Sequence, residues 1–249
     1  MRILPIASGS GGNCYYVNLN GHALLFDMGV RLKKLKAVLG FYDLDLETIE
    51  AAFITHTHYD HTVGFPVFAK HLHCPIFASK TTRDRLANKA VKGLAFMESY
   101  EISPELKVTL FKTSHDCPGS CGFVVESGLE KLTLATDLGF IPAELSELAA
   151  QSKLIIIEAN HDRQMLAAGP YPPLLKQRIA SDYGHLSNDD CAAFVREQYA
   201  LGCRNFLLAH LSETNNTMEK ALAPYSEALK KDALIKALKP FDDQFILID

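Results

Sequence analysis

Short apolar runs recur along the chain, separated by polar or turn-forming residues. Many of the runs contain β-branched side chains, and each has the length of a β-strand. Asn20-Gly21, which lies between two of them, is typical of a hairpin turn. The pattern predicts strands at Arg2–Ala7, Cys14–Leu19, His22–Phe26, Ala51–Thr55, Pro75–Ala78, Lys107–Lys112, Gly122–Glu126, Lys131–Ala135, Lys153–Ile157, Asn205–Ala209 and Phe245–Ile248.

Between the strands, apolar residues recur at helical spacing. Ser187 and Asp190 form a Ser-x-x-Asp capping box, which predicts a helix that starts at about residue 188. Because strands and helices are mixed without a Pro/Ser-rich linker, we expect a single α/β domain over residues 1–249, with two sheets face to face and helices outside. Helices are predicted at Lys33–Leu39, Val67–His71, Thr81–Val91, Ala143–Ala150, Ser187–Leu201 and Met218–Lys230.

The composition is that of an ordinary globular protein. Hydrophobic residues make up 48% of the 249 positions, so the core can be large without disulfides. The six cysteines are scattered, and Cys117 and Cys121 either begin a metal site or are free thiols. No leader is recognisable and no apolar run approaches the roughly 18 residues of a membrane span, so we expect a cytoplasmic protein with no membrane association. A net charge of -4 does not indicate a polyanion binder, although it is compatible with a local basic patch.

Several of the apolar runs end on a side chain that can bind a metal ion. Strands that deliver histidine or aspartate to one edge of a sheet hold these side chains in a fixed geometry, which a metal site requires. The runs that end in this way do so at Asp27, His56, His115, Asp137, His161 and His210.

The segment "HTHYDH" places three of the ten histidines within six positions, directly after an apolar run. His56 and His58 are two residues apart, so their side chains point to the same side of an extended segment. Asp60 and His61 follow after a bend. Four ligands this close fit a pair of ions better than one tetrahedral ion. We expect the remaining ligands to be His115, Asp137 and His210.

This pattern resembles the metallo-β-lactamase superfamily, whose signature is His-x-His-x-Asp-His, and the resemblance covers nearly the whole chain. It implies a four-layer αββα sandwich and two divalent ions. Histidine and carboxylate ligands accept zinc, manganese or iron. The equivalent of Asp137 bridges the ions in the family, and Asp27 resembles an aspartate that braces the metal loop. One ion is held in the family by the equivalents of His56, His58 and His115. The other is held by the equivalents of Asp60, His61 and His210.

Other segments resemble the YycJ/WalJ branch of that superfamily, which contains small cytosolic relatives linked to DNA exonuclease activity. They include "SGSGGNCYYV" (8–17), "SDYGHLSND" (181–189) and "AHLSETNN" (209–216). His185, in "GHLSN", also resembles the second catalytic histidine of ribonuclease Z. The chain departs from the branch at Tyr171-Pro172-Pro173, where Tyr-Pro-Trp is usual.

The residues near the predicted helix at 188 suggest roles in catalysis. A helix N-terminus favours an anion such as a phosphate oxygen, so we expect His185 to protonate a leaving alkoxide or to stabilise the developing charge. Ser187 is a further candidate for a supporting or substrate contact. His161 is either a hydrogen-bond partner behind the ligands, a substrate contact or a satisfied loop residue. Asp60 is expected to orient the attacking water or to take its proton.

Two further features remain open at this level. The "SGSGGN" loop matches neither a dinucleotide fingerprint nor a P-loop, so it is either a tight turn or a loop whose amides face the site. Basic clusters would hold a nucleic-acid backbone if they flank the metal edge. The clusters are Arg31, Lys33, Lys34 and Lys36, and separately Lys176 and Arg178.

The sequence therefore predicts a dinuclear-metal hydrolase that cleaves phosphodiester bonds, with a DNA exonuclease of the YycJ/WalJ type as the first hypothesis. A phosphodiesterase acting on RNA or on small cyclic phosphodiesters uses the same chemistry and is the nearest alternative. A thioesterase or lactonase on the same fold is a second alternative. A metal-dependent scaffold is the non-enzyme alternative, and the complete set of ligand positions argues against it.

Overall fold

The fold is built from two seven-stranded β-sheets. The computed structural model describes residues 1–241 and 244–248. The strands are β1 (Arg2–Ala7), β2 (Cys14–Leu19), β3 (His22–Phe26), β4 (Ile49–Phe53), β5 (Ile76–Ser79), β6 (Val91–Leu94), β7 (Ser99–Ser103), β8 (Leu106–Lys112), β9 (Cys121–Ser127), β10 (Glu130–Ala135), β11 (Leu154–Glu158), β12 (Asn205–Ala209), β13 (Leu234–Ala237) and β14 (Ile246–Leu247). Their order is β14-β1-β2-β3-β4-β5-β6 in the first sheet and β13-β12-β11-β10-β9-β8-β7 in the second.

The helices connect these strands, mostly where the pairing is parallel. In the first sheet, β3 to β6 run parallel, as do β10 to β13 in the second. The helices are α1 (Leu32–Phe41), α2 (Tyr59–Thr62), α3 (Phe65–His71), α4 (Lys80–Leu86), α5 (Ala143–Ala149), α6 (Arg163–Ala168), α7 (Pro173–Ile179), α8 (Asn188–Ala200), α9 (Met218–Leu222) and α10 (Glu227–Asp232). None of the helices in the described part of the chain has the length and apolar character to span a membrane.

An apolar core lies between the two sheets. Successive strand residues point to opposite faces, and on β2 the residues Tyr15 and Val17 belong to this central core. Phe26 and Phe53 of the first sheet stack with ring centroids 4.9 Å apart, and Phe53 meets Phe123 of the second sheet at 5.2 Å. These contacts fix the two sheets against each other.

The outer face of each sheet is covered by helices. On β2, Tyr16 points away from the central core and packs in a cluster with Leu35 of α1. On β11, Ile155 packs outward in a cluster with Phe194 of α8. The order of layers is helix, sheet, sheet, helix, which is the αββα sandwich expected from the sequence.

All eleven strands predicted from the sequence are present, with ends shifted by at most two residues. Two helix predictions were wrong in extent. The helix predicted at Thr81–Val91 ends at Leu86, because Ala87 adopts a left-handed conformation (φ 50°) and Val91 begins β6. The helix predicted at Met218–Lys230 is divided into α9 and α10, and Pro224 lies between them, where proline disfavours helix continuation. The single-domain expectation stays a prediction.

The N-terminus of α8 follows the predicted capping box. The Ser187 hydroxyl accepts a hydrogen bond from the Asp190 amide at 3.2 Å. Because an N-cap serine satisfies an otherwise unpaired helix amide, we expect Ser187→Ala to lower the free energy of unfolding by about 1 kcal/mol. Thermal unfolding measures this change. Ser187→Thr, which keeps the hydroxyl, is the control, and equal melting temperatures for the alanine and threonine variants would contradict the capping role.

Candidate metal centre

Three of the predicted site residues sit at sharp turns that end their strands. Asp27 follows β3, Asp137 follows β10 after one residue, and His210 follows β12. All three have left-handed backbones, with φ of 58°, 59° and 55°. Aspartate and histidine tolerate this region better than most residues do. The turns bring side chains from both sheets to one shared edge.

Asp27 contacts both ends of the loop that contains "HTHYDH", the proposed metal loop. Its fully buried carboxylate accepts a hydrogen bond from the Thr55 amide at 2.8 Å, just before the loop begins. It also accepts one from His61 Nδ1 at 2.8 Å, where α2 completes the loop. One carboxylate therefore fixes both ends of the loop.

His56, His58 and His115 form the first ligand group. The ring of His56 lies 4.6 Å from that of His58 and 5.1 Å from that of His115. His115 Nδ1 donates to the Gly184 carbonyl at 3.0 Å, which leaves Nε2 with its lone pair. That Nε2 lies 3.1 Å from His58 Nδ1, so nitrogens from different segments converge.

Asp60, His61 and His210 form the second group. His61 Nε2 and His210 Nε2 each lie 3.4 Å from Asp60 Oδ2. The other nitrogen of each ring donates to a buried carboxylate, Asp27 for His61 and Glu158 for His210, both at 2.8 Å. This arrangement sets the tautomer and directs Nε2 towards the centre, as ligating histidines require.

Asp137 lies between the two groups. Its Oδ2 is 3.3 Å from His61 Nε2, and its Oδ1 is 3.7 Å from His115 Nε2 and 3.8 Å from His210 Nε2. Asp137 Oδ2 and His56 Nε2 are buried polar atoms without a hydrogen-bond partner. Because buried polar atoms are normally satisfied, these two orphaned atoms support a cation between the groups, and the donor set fits divalent ions.

The electrostatics of the centre lead to the same conclusion. Burial opposes charge on His61 and His210, but the surrounding carboxylates override it and hold the pKa of both imidazoles well above the ordinary value. Burial lowers the pKa of His56 well below its ordinary value. The carboxylates therefore favour positive charge at His61 and His210. A divalent cation would supply this positive charge in place of the protons, and metal binding at such donors releases protons.

Glu158 is a site residue that the sequence analysis missed. It is fully buried at the end of β11 and accepts hydrogen bonds from His185 Nδ1 and His210 Nδ1, each at 2.8 Å. Burial opposes its charge, but His185 and the other donors lower the pKa of Glu158 to about 2. The available signal was the acidic residue that ends the apolar run "LIIIE", three positions before His161, the metal-binding side chain predicted for this run.

His185 belongs to the centre, and His161 lies beside it. The His185 ring stacks on that of His210 at 5.3 Å and is 22% exposed. Burial opposes protonation of His185, but Glu158 raises the pKa of this imidazole above its ordinary value. His161 lines a cavity with His185 and Ser187 and belongs to none of the ligand groups in the described residues. The roles assigned to His161 and Ser187 at the site stay predictions.

The "SGSGGN" loop faces the centre through side chains. The Asn13 amide nitrogen lies 2.9 Å from His61 Nε2 and 3.3 Å from Asp60 Oδ2. The Ser8 hydroxyl accepts a hydrogen bond from the His210 amide at 3.0 Å. The loop contains a tight turn, in which the Gly12 amide donates to the Gly9 carbonyl, and its Asn13 backbone amide donates to the Asp60 carbonyl of the metal loop, so a role of the loop in the site stays a prediction.

The predicted basic clusters differ in position. Arg178 lines a cavity with His115 and His185 and pairs with Asp116 at 2.6 Å. Lys34 of the other cluster lies over the Phe241 ring, with the Nζ atom 3.5 Å from its centroid. All six cysteines are free, including Cys117 and Cys121, and no described cysteine belongs to a ligand group.

Comparison with known proteins assigns a family to this arrangement. A family described as the β-lactamase superfamily domain matches residues 24–210. The exodeoxyribonuclease YycJ of Bacillus anthracis is 30% identical over 232 residues, which cover 91% of this chain and 88% of that protein. The exodeoxyribonuclease WalJ of Streptococcus pneumoniae is 31% identical over 224 residues, covering 87% and 83%.

A solved structure shows the same fold at lower identity. Zn²⁺-bound PqqB from Methylobacterium extorquens superposes with a TM-score of 0.73 over 99% of this chain and all of that one, at 14% identity. The likeness extends over both sheets and their helices, and it concerns the fold alone.

Proposed function

The chain belongs to the metallo-β-lactamase superfamily, and from that premise we propose that it is a metal-dependent hydrolase that cleaves phosphodiester bonds of DNA from an end. The observation that carries the proposal is the pair of ligand groups around Asp137, with His185 held beside them by Glu158. Two relatives that align over most of their length are exodeoxyribonucleases, which supports the substrate class.

The site is proposed to hold two divalent ions, with Asp137 shared between them. Histidine nitrogens and carboxylate oxygens suit zinc, manganese or iron. When bound, such ions supply Lewis-acid stabilisation of phosphoryl oxygens and an activated water nucleophile. His56, His58 and His115 would hold the first ion, and Asp60, His61 and His210 would hold the second.

The remaining residues position groups and move protons. Asp60 Oδ2 lies beside two histidine Nε2 atoms, where its carboxylate orients an attacking water or accepts its proton. His185 Nδ1 is tied to Glu158, which directs Nε2 away from Glu158 and favours the protonated ring. His185 therefore donates a proton to the leaving alkoxide or stabilises the charge that develops on phosphorus.

The His185→Ala variant tests the proposed proton donor. Loss of a positioned acid lowers kcat by about 100-fold or more, while the ligand groups stay complete. We therefore expect slow cleavage of a single-stranded oligonucleotide and a metal content per chain equal to that of the wild type. Loss of both metal and activity would assign His185 to the ligands instead, and wild-type kcat would remove it from the mechanism.

A substrate panel tests the proposed function as a whole. End-labelled DNA, end-labelled RNA, a cyclic dinucleotide, a lactone and a thioester are each incubated with the metal-loaded protein. Stepwise shortening of DNA from an end is the expected result. Faster hydrolysis of RNA or of the cyclic diester would identify a different substrate within the phosphodiester class. Hydrolysis of only the lactone or thioester would refute the proposed phosphodiesterase activity. The cytoplasmic location expected from the sequence stays a prediction.

A further inference from the structure

A groove of about 780 Å³ borders the metal loop. Thr57, which lies between two of the ligand histidines, and Thr62, which follows His61, line the groove. Lys70 near the end of α3 and Arg85 near the end of α4 line it as well. The groove therefore connects the metal loop with two cationic side chains.

These two cations are uncompensated, although the chain has a net charge of -4. No aspartate or glutamate of the described chain lines the groove. Neither Lys70 nor Arg85 forms an ion pair with another described residue. Four other arginines pair with aspartates: Arg83, Arg163, Arg178 and Arg204. A pair of free cations beside a catalytic loop attracts a polyanion.

Arg85 is also oriented by the metal loop itself. Its Nε donates to the Thr57 hydroxyl at 3.3 Å. Because an arginine carries five N–H donors, the terminal nitrogens of Arg85 remain able to form paired hydrogen bonds with a phosphate. This contact places the guanidinium next to Thr57, between the two ligand histidines in the sequence.

We propose that this groove binds the sugar-phosphate backbone of the nucleic-acid strand beyond the scissile bond, with Lys70 and Arg85 each contacting a phosphate. The proposal rests on the proposed function, since a strand whose scissile phosphate lies at the metal centre must continue along the adjoining surface. Backbone contacts of this kind position a substrate without reading its sequence. They also distinguish a polynucleotide from a small phosphodiester, which does not extend into the groove.

Binding of a phosphorothioate-linked single-stranded oligonucleotide, followed by fluorescence anisotropy, tests the proposal on the metal-loaded protein without hydrolysis. We expect the double variant Lys70→Ala/Arg85→Ala to raise Kd about tenfold or more. We also expect the slope of log Kd against log salt concentration to decrease by about 0.7 for each phosphate that the variant no longer neutralises. DNA and RNA forms of the probe are compared in parallel.

The matched control is Lys80→Ala/Lys92→Ala, which removes two exposed positive charges, from α4 and β6, that form no ion pair with another described residue and lie outside the groove. It is expected to change Kd by less than about twofold, the size of a surface-charge effect. Equal Kd values for the two double variants, or no binding by the wild type, would overturn the proposal. Polyglutamate is the competing ligand. If it binds the wild type as tightly as the oligonucleotide does, and fails to bind Lys70→Ala/Arg85→Ala, the groove would be assigned to an acidic protein segment instead.

The same preparations separate this proposal from the proposed function. If the wild type hydrolyses no phosphodiester, the proposed hydrolase activity is refuted. The anisotropy comparison still shows whether the groove binds a nucleic-acid backbone. In cleavage assays, we expect kcat/KM of the groove variant to fall about tenfold for an oligonucleotide, and by far less for bis-p-nitrophenyl phosphate. Equal losses of kcat/KM on the two substrates would mean that the substitutions disturb the metal loop. That result would overturn the proposal that the groove binds the strand.

Discussion

We expect His58→Ala to abolish phosphodiester hydrolysis to the limit of detection, because it removes a nitrogen from the first proposed ligand group. Substitution of residues behind metal ligands costs about 10–100-fold in activity or affinity, so loss of a ligand is expected to exceed about 100-fold. The His58 side chain is 35% exposed, so the substitution leaves no large buried cavity. Bis-p-nitrophenyl phosphate and an end-labelled oligonucleotide are the substrates.

The control for this variant is His73→Ala. His73 is 72% exposed, lies 3.6 Å from Glu47 and belongs to none of the ligand groups among the described residues. This variant is expected to match the wild type in turnover and in metal content. Hydrolysis by His58→Ala at the rate of the His73 control would contradict the assignment of His58 as a ligand.

Glu158→Ala is expected to cost both stability and activity. The substitution leaves His185 and His210 without the acceptor that orients them, together with the Leu138 and Leu186 amides that Glu158 also satisfies. Removing one partner of a buried charged pair destabilises a protein by about 3–5 kcal/mol. Disordering the histidines lowers kcat by about 10–100-fold. Chemical denaturation and oligonucleotide cleavage measure the two effects.

Two further variants identify the cause of these losses. Glu158→Gln keeps the size and one acceptor oxygen, so its losses are expected to be smaller than those of alanine. Glu130→Ala removes a glutamate that is 18% exposed and pairs with Lys153 and the N-terminal ammonium, so solvent still reaches the pair and its loss is expected to cost less than that of the fully buried Glu158. If Glu158→Ala destabilised the protein no more than Glu130→Ala does, Glu158 would not organise the centre.

The sequence predicted the central strands well and the edges poorly. Central strands are buried on both faces and read as apolar runs, as "LIIIE" of β11 does. The three strands that the prediction omitted are all edge strands of their sheets: β6, β7 and β13. One side of an edge strand is open to solvent, so its residues are more polar, as the half-exposed "SYEIS" of β7 shows. Their hydrogen bonds come from tertiary pairing, which the local pattern does not contain.

The proposed ligand residues could be named from the sequence because the motif places four of them within one loop and strand ends supply the rest. Of the residues behind them, Asp27 was anticipated from the family resemblance, whereas Glu158 and Asn13 were not. Glu158 became recognisable only when the fold brought β11 beside β12 and showed two histidines donating to it. Asn13 is far from the metal loop along the chain, and its contact with His61 depends on the turn after β1. Such support is a property of the assembled edge, which residue spacing alone does not reveal.

The central claim is that side chains from both sheets hold a pair of divalent ions at one edge of the sandwich. The metal content of the purified, extensively dialysed wild type, measured by inductively coupled plasma mass spectrometry, tests it most directly. We expect about two transition-metal ions per chain, the stoichiometry of a two-metal hydrolase. A chain that retains no transition metal after exposure to zinc, manganese and iron would contradict the account.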